Sequence, residues 1–83
     1  MGGKFIWSEK AKAQIRAIDQ VTALRILQAL DRVLATGHGD VKQLQGMIPP
    51  QFWLRVGDYR VRFYRFDGGV EVISVKHRRD VYR

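Results

Sequence analysis

The sequence predicts an α+β domain, two N-terminal helices packed on an antiparallel sheet in the order β-α-α-β-β-β, and three observations predict it. Apolar residues recur at helical spacing between residues 8 and 36. The period drops to two across three runs of β-branched and aromatic residues after residue 51. Gly-Asp and Asp-Gly pairs separate those runs as hairpin turns do. With 83 residues and no linker, repeat or low-complexity stretch, the chain reads as one domain, residues 1–83.

Each element follows from its residues. Lys4–Trp7 is a short apolar run of strand character, and Ser8 supplies a hydroxyl suited to capping a helix. From Ser8 to Ile18, Ala11, Ile15 and Ile18 share one helical face, with Lys10, Lys12 and Arg16 mostly elsewhere. Asp19 is placed to cap a second helix, antiparallel to the first across a tight turn near Ile18–Gln20. Its apolar stripe is read as Ala23, Leu24, Leu27, Leu30, Val33 and Leu34. Gly37 stands where a left-handed C-terminal cap is wanted, and Pro49-Pro50 forbids helix further on. Phe52–Val56, Tyr59–Phe66 and Val70–Lys76 then read as three strands, joined by Gly57-Asp58 and by Asp67-Gly68-Gly69 into a meander.

Composition narrows the chemistry. There is no cysteine, so disulfides, thiolate metal sites and cysteine nucleophiles are excluded. Fifteen Lys and Arg against eight Asp and Glu leave a net charge of +7, which attracts polyanions or acidic partners. The N-terminal apolar run spans three residues, far short of the ~7–15 of a secretory h-region, and no stretch reaches the ~20 a membrane helix needs. A cytoplasmic protein without membrane attachment is the expectation. No P-loop, Ser-His-Asp set or carboxylate cluster for a metal stands in the chain.

The kind of charge is unevenly spread. Seven of the ten arginines fall in the last 29 residues, while four of the five lysines come earlier. Arginine grips phosphates in bidentate fashion and stacks on bases, as lysine does not. Strand parity puts Tyr59, Val61, Phe63 and Arg65 on one face of their strand and Arg60, Arg62, Tyr64 and Phe66 on the other. The preceding strand puts Trp53 and Arg55 on one side and Phe52, Leu54 and Val56 on the other. An open face carrying Trp53, Arg55, Arg60 and Arg62 suits an anionic, planar ligand. Ion pairing with Asp58, Asp67, Glu71 and Asp80 is the plainer use of these arginines, but four carboxylates cannot neutralise seven of them. Trp53 serves equally as core or as a stacking surface. The chain closes on Lys76-His77-Arg78-Arg79-Asp80-Val81-Tyr82-Arg83, a basic tail whose His77 and Tyr82 sit among arginines. Taken alone, His77 is a surface or hydrogen-bonded histidine more often than a catalyst, and Tyr82 an anchor for the tail.

Three segments together resemble a known family. Leu44-Gln45-Gly46, Leu54-Arg55-Val56-Gly57-Asp58-Tyr59-Arg60-Val61-Arg62-Phe63 and Val75-Lys76-His77-Arg78-Arg79-Asp80-Val81-Tyr82 look like the RelE/ParE superfamily of toxins from type II toxin–antitoxin systems. The resemblance covers nearly the whole chain. RelE-type members are metal-independent, ribosome-dependent mRNA endonucleases that drive a ribose 2′-OH onto the adjacent phosphate; ParE-type members share the fold and poison DNA gyrase. The resemblance implies a catalytic set of Arg55, Arg60, Arg78, Tyr82 and His77. Arg60 and Arg78 would clamp the phosphate, and Tyr82 would stack on the cut nucleotide or move a proton. His77 would stand in as proton carrier, because Trp53 occupies a position where a second Lys or Arg is common. Trp53, Arg62, Lys76 and Arg79 would bind RNA. No metal and no cofactor are expected. The implied partners are a cognate antitoxin, the ribosome and mRNA, or DNA gyrase under the ParE alternative; a non-catalytic RNA-binding module is the third alternative.

Overall fold

The computed structural model describes residues 4–81. Its elements are β1 (Lys4–Trp7), α1 (Glu9–Arg16), α2 (Gln20–Thr36), β2 (Val41–Gln43), β3 (Phe52–Val56), β4 (Tyr59–Phe66), β5 (Gly69–His77) and α3 (Arg78–Val81). The five strands form one sheet in the order β1-β5-β4-β3-β2. The predicted class and the two-helix lead hold, with three additions. β2 is an extra edge strand, too short for its alternation to show in the sequence. The basic tail turns into α3. The sheet is mixed, because β1 runs parallel to β5 with Lys4 opposite Gly69 and Trp7 opposite Val72.

Local chemistry explains the boundaries. The Ser8 hydroxyl accepts from the Ala11 N–H at 3.0 Å and starts α1, and the Asp19 carboxylate accepts from the Thr22 N–H at 3.0 Å and starts α2. Gly37 ends α2 with φ of 77°, its N–H donating to the Val33 carbonyl. Gly57 takes φ of 57° at the first position of the two-residue turn between β3 and β4, a geometry that costs an L side chain and suits glycine.

The core lies between one sheet face and the two long helices. Ala11 of α1, Ile26, Leu30 and Val33 of α2, and Leu54, Val61, Phe63, Val70, Val72 and Val75 of the sheet form one buried cluster. The α2 stripe is thereby corrected. Ile26, Leu30 and Val33 point inward, whereas Leu24 and Leu27 are exposed at 53% and 41%. At 100° per residue, Leu27 and Leu24 lie about 100° and 160° round from Ile26, too far to reach the same sheet. A bulge in β5 also matters: Arg62 pairs with Ser74 but Phe63 pairs with Val72, so Ile73 is the extra residue. Only that insertion lets Val72 and Val75, three apart, both face the helices.

Candidate nucleic-acid interface

With Leu54, Val61 and Phe63 buried under the helices, the intervening strand residues occupy the opposite face. Register arranges them in rows across the sheet. Arg55, Arg60 and Lys76 lie side by side, continued at the β2 edge by Asp40, whose carbonyl accepts from the Arg55 N–H at 2.9 Å. The next row is Lys42, Trp53, Arg62 and Ser74. Neighbouring strands are about 4.8 Å apart, so each row sets its cations within reach of one extended anion. Farther along, Tyr64 opposes Glu71 and its hydroxyl donates to the Glu71 carboxylate at 2.8 Å. That bond holds the Tyr64 phenol protonated, above its ordinary pKa, and it engages the carboxylate with a tyrosine rather than an arginine. The face is thus cationic at one end and neutral to acidic at the other.

Each arginine is held differently. Arg55 donates from Nε to Asp40 Oδ2 at 2.5 Å. Arg60 bends to the β3–β4 turn, its Nη1 donating to the carbonyls of Gly57 at 3.3 Å and Tyr59 at 3.1 Å. Arg78, the first residue of α3, reaches the same turn: its backbone N–H donates to the Asp58 carbonyl at 2.6 Å and its Nε stands 3.7 Å from Asp58 Oδ1. Arg60 and Arg78 therefore both contact the turn at residues 57–59. Both ion pairs are well exposed, so water and salt screen them and an incoming anion can exchange with either carboxylate. Arg62 donates from Nε to Gln51 Oε1 at 2.6 Å, places Nη2 3.9 Å from Met47 Sδ, and carries its guanidinium 5.8 Å from the Trp53 ring centre.

The structure brings some of the anticipated residues together and separates others. Arg55, Arg60 and Lys76 share a row, Trp53 and Arg62 the adjacent one, and Arg78 joins Arg60 at the turn. Arg79 is exposed on α3. His77 pairs with Tyr59 and therefore sits on the other face from Arg60, its ring edge-on to Tyr59 at 5.3 Å. Its Nδ1 accepts from the Arg79 N–H at 3.3 Å, which leaves Nε2 to carry the ring proton. Tyr82 lies outside the described residues. Sequence reading missed Lys42, Asp40, Gln51 and Met47, which reach this face only through β2 and the loops on either side of it. Among the described residues no group of three His, Asp or Glu side chains stands close enough to share a metal ion, and no helix is long and apolar enough to cross a membrane.

Comparison with known proteins gives this face a setting. A family model described as the ParE toxin of the type II toxin–antitoxin system parDE matches residues 5–82. Among solved structures, an arginine double mutant of Escherichia coli toxin RelE in the free state is similar at TM-score 0.72 and 26% identity, covering 99% of this chain and 92% of that one. The archaeal RelE–RelB complex of Pyrococcus horikoshii aligns at TM-score 0.77 and 20% identity, covering 94% and 97%. The RelB–RelE antitoxin–toxin complex of Methanococcus jannaschii aligns at TM-score 0.75 and 16% identity, covering 93% and 94%. The last two likenesses are of fold. A search of the curated proteins finds no match.

Proposed function

The chain belongs to the ParE toxin family of type II toxin–antitoxin systems, and from its likeness to toxin RelE together with its arginines we propose that it is a metal-independent endoribonuclease that cuts mRNA on the ribosome. The observation that carries the reading is the convergence of Arg60 and Arg78 on the β3–β4 turn beside the Arg55–Arg60–Lys76 row. Transesterification by a ribose 2′-OH needs negative charge neutralised on the phosphorane, and guanidiniums gathered at one place on the sheet supply that. Arg60 and Arg78 hold the scissile phosphate; Arg55 and Lys76 extend the contact to its neighbours. Tyr82 is the candidate for proton transfer; His77, on the other face of the sheet from Arg60, is not placed to reach the phosphate that Arg60 holds. A cognate antitoxin of the RelB kind neutralises the toxin by covering the cationic face.

A second reading is favoured by a specific observation. Trp53 holds a central position in the second row where a base-forming cation would serve a nuclease, and His77 lies across the sheet from Arg60. Both fit a toxin that inhibits DNA gyrase and cuts nothing. Adding the protein to a translating extract, mapping mRNA 5′ ends by primer extension and assaying gyrase supercoiling in parallel separates the two. New ends within codons support the nuclease. Intact mRNA with blocked supercoiling overturns it in favour of the second reading.

A further inference from the structure

The second row holds a constellation that phosphate binding leaves unused. Trp53 and Arg62 are directly opposed on β3 and β4, and the Arg62 guanidinium lies 5.8 Å from the indole centre. Gln51 fixes the same guanidinium at 2.6 Å, and the Met47 sulfur lies 3.9 Å from its Nη2. Unlike Arg55 and Arg78, Arg62 is held by neutral groups, and among the described residues no carboxylate lies within ion-pairing distance of it. Four half-buried side chains thus set one oriented fork of N–H donors over one aromatic plane. An arginine that only attracts phosphates gains nothing from being aligned with an indole and locked by an amide.

We infer that Trp53, Arg62 and Gln51 form a seat for a single unpaired nucleobase, and that the seat prefers guanine. The inference rests on the reading that this face engages nucleic acid, and it adds a base-recognition element to the phosphate contacts. The indole supplies a stacking surface of the kind used throughout single-strand recognition. Hydrogen-bond bookkeeping supplies the preference. Arginine has donors only, so Gln51 must turn Oε1 toward Nε of Arg62 and present its NH2 group outward. The free N–H groups of Arg62 and the Gln51 NH2 are donors, and the one side-chain acceptor in the group, the Met47 sulfur, is weak and already faces Arg62. Guanine presents two adjacent acceptors, O6 and N7, on one edge; adenine presents N7 next to a donor amine that would face donors. Lys42, opposite Trp53 on β2, is placed to meet the phosphate of the seated nucleotide.

The test uses the whole protein and fluorescently labelled 2′-deoxy hexamers, which cannot be cut through a 2′-hydroxyl. Deoxycytidines surround one central guanine, adenine or abasic site, and affinity is read by anisotropy. The expected order is guanine about ten-fold tighter than abasic and about five-fold tighter than adenine. Arg62→Lys erases the guanine–adenine difference while stacking persists, and Trp53→Leu removes the guanine–abasic difference. Circular dichroism checks that each variant is folded, and Arg62→Lys alone suffices should Trp53→Leu unfold. Equal affinity for all three hexamers overturns the seat and leaves the phosphate reading standing. Binding of none of them overturns the seat together with the reading on which it rests.

Discussion

Ser8 belongs to neither β1 nor α1, yet it joins both to β5. Its N–H donates to the Val72 carbonyl at 3.0 Å, its hydroxyl donates to the Ile73 carbonyl at 2.7 Å, and the same oxygen accepts from the Ala11 N–H. One turn later Gln14 Oε1 accepts from the Val75 N–H at 2.7 Å. Beyond Val72 the edge of β5 has no strand beside it, so these two side chains take the place of a ladder. Val75 is 3% exposed, and its N–H would otherwise be buried without a partner. Gln14→Ala should lower stability by about 1–3 kcal/mol and Ser8→Ala by about 1–2 kcal/mol, measured by urea denaturation. Asp19 sets a pH dependence. The Thr22 N–H lowers its pKa, so its stabilising effect is present above the ordinary aspartate range and is lost as pH falls through the lowered value. The stability difference between wild type and Asp19→Ala should accordingly shrink in acid titrations monitored by circular dichroism. A difference that stays constant down to the acid limit would mean that the cap does not depend on the charge.

At the scale of elements, α2 shows why a stripe and a face are different things. Leucines at 24, 27 and 30 all suit a helix, but only Leu30, about 40° round from Ile26, shares the arc of Ile26 and Val33 that meets the sheet. Leu30→Ala should cost about 2–5 kcal/mol and Leu24→Ala about 0.5 kcal/mol or less, compared by thermal unfolding. Strand β1 depends on a glycine for another reason. A Cβ on Gly69 would collide with the Lys4 carbonyl oxygen, so any side chain there pushes β1 away from β5. Gly69→Ala should remove hydrogen-exchange protection from residues 5–7 while the β3–β4 hairpin keeps its own; unchanged protection would refute the argument. The bulge at Ile73 is the third device at this scale, and it bends β5 at the point where β1 gives way to α1.

At the scale of the molecule, the two faces of the sheet divide the work between stability and recognition. The helix face holds the buried cluster, and the other face carries the cations in rows. Arg60 contributes to the second and little to the first, because its side chain bonds only the carbonyls of Gly57 and Tyr59 at the end of the sheet. Arg60→Ala should therefore reduce affinity for single-stranded RNA of every sequence alike and lower the slope of log K against log salt by about one. The thermal midpoint should stay within about 4 °C of wild type. A larger drop with an unchanged salt slope would make Arg60 a structural residue. In the seat the contrast reverses, for Trp53→Leu should weaken binding with the salt slope unaltered.

The amino-acid sequence by itself determined the class, both long helices and their caps, the three principal strands, and the side of each strand on which Trp53, Arg55, Arg60 and Arg62 fall. All of these are local, depending on a period, a cap hydroxyl or a turn glycine within a few residues. Only the tertiary structure decided what is set by residues far apart in the chain. β2 exists because Val41–Gln43 finds β3, not because three residues have a pattern. β1 packs closely along β5 because Gly69 lets it approach. His77 falls on the face of Tyr59 because register carries it there, however many arginines adjoin it in sequence. Gln51 reaches Arg62, and Asp40 reaches Arg55, across gaps of 11 and 15 residues that no periodicity spans. Such contacts depend on which strands pair and in what register, and pairing is a property of the assembled sheet.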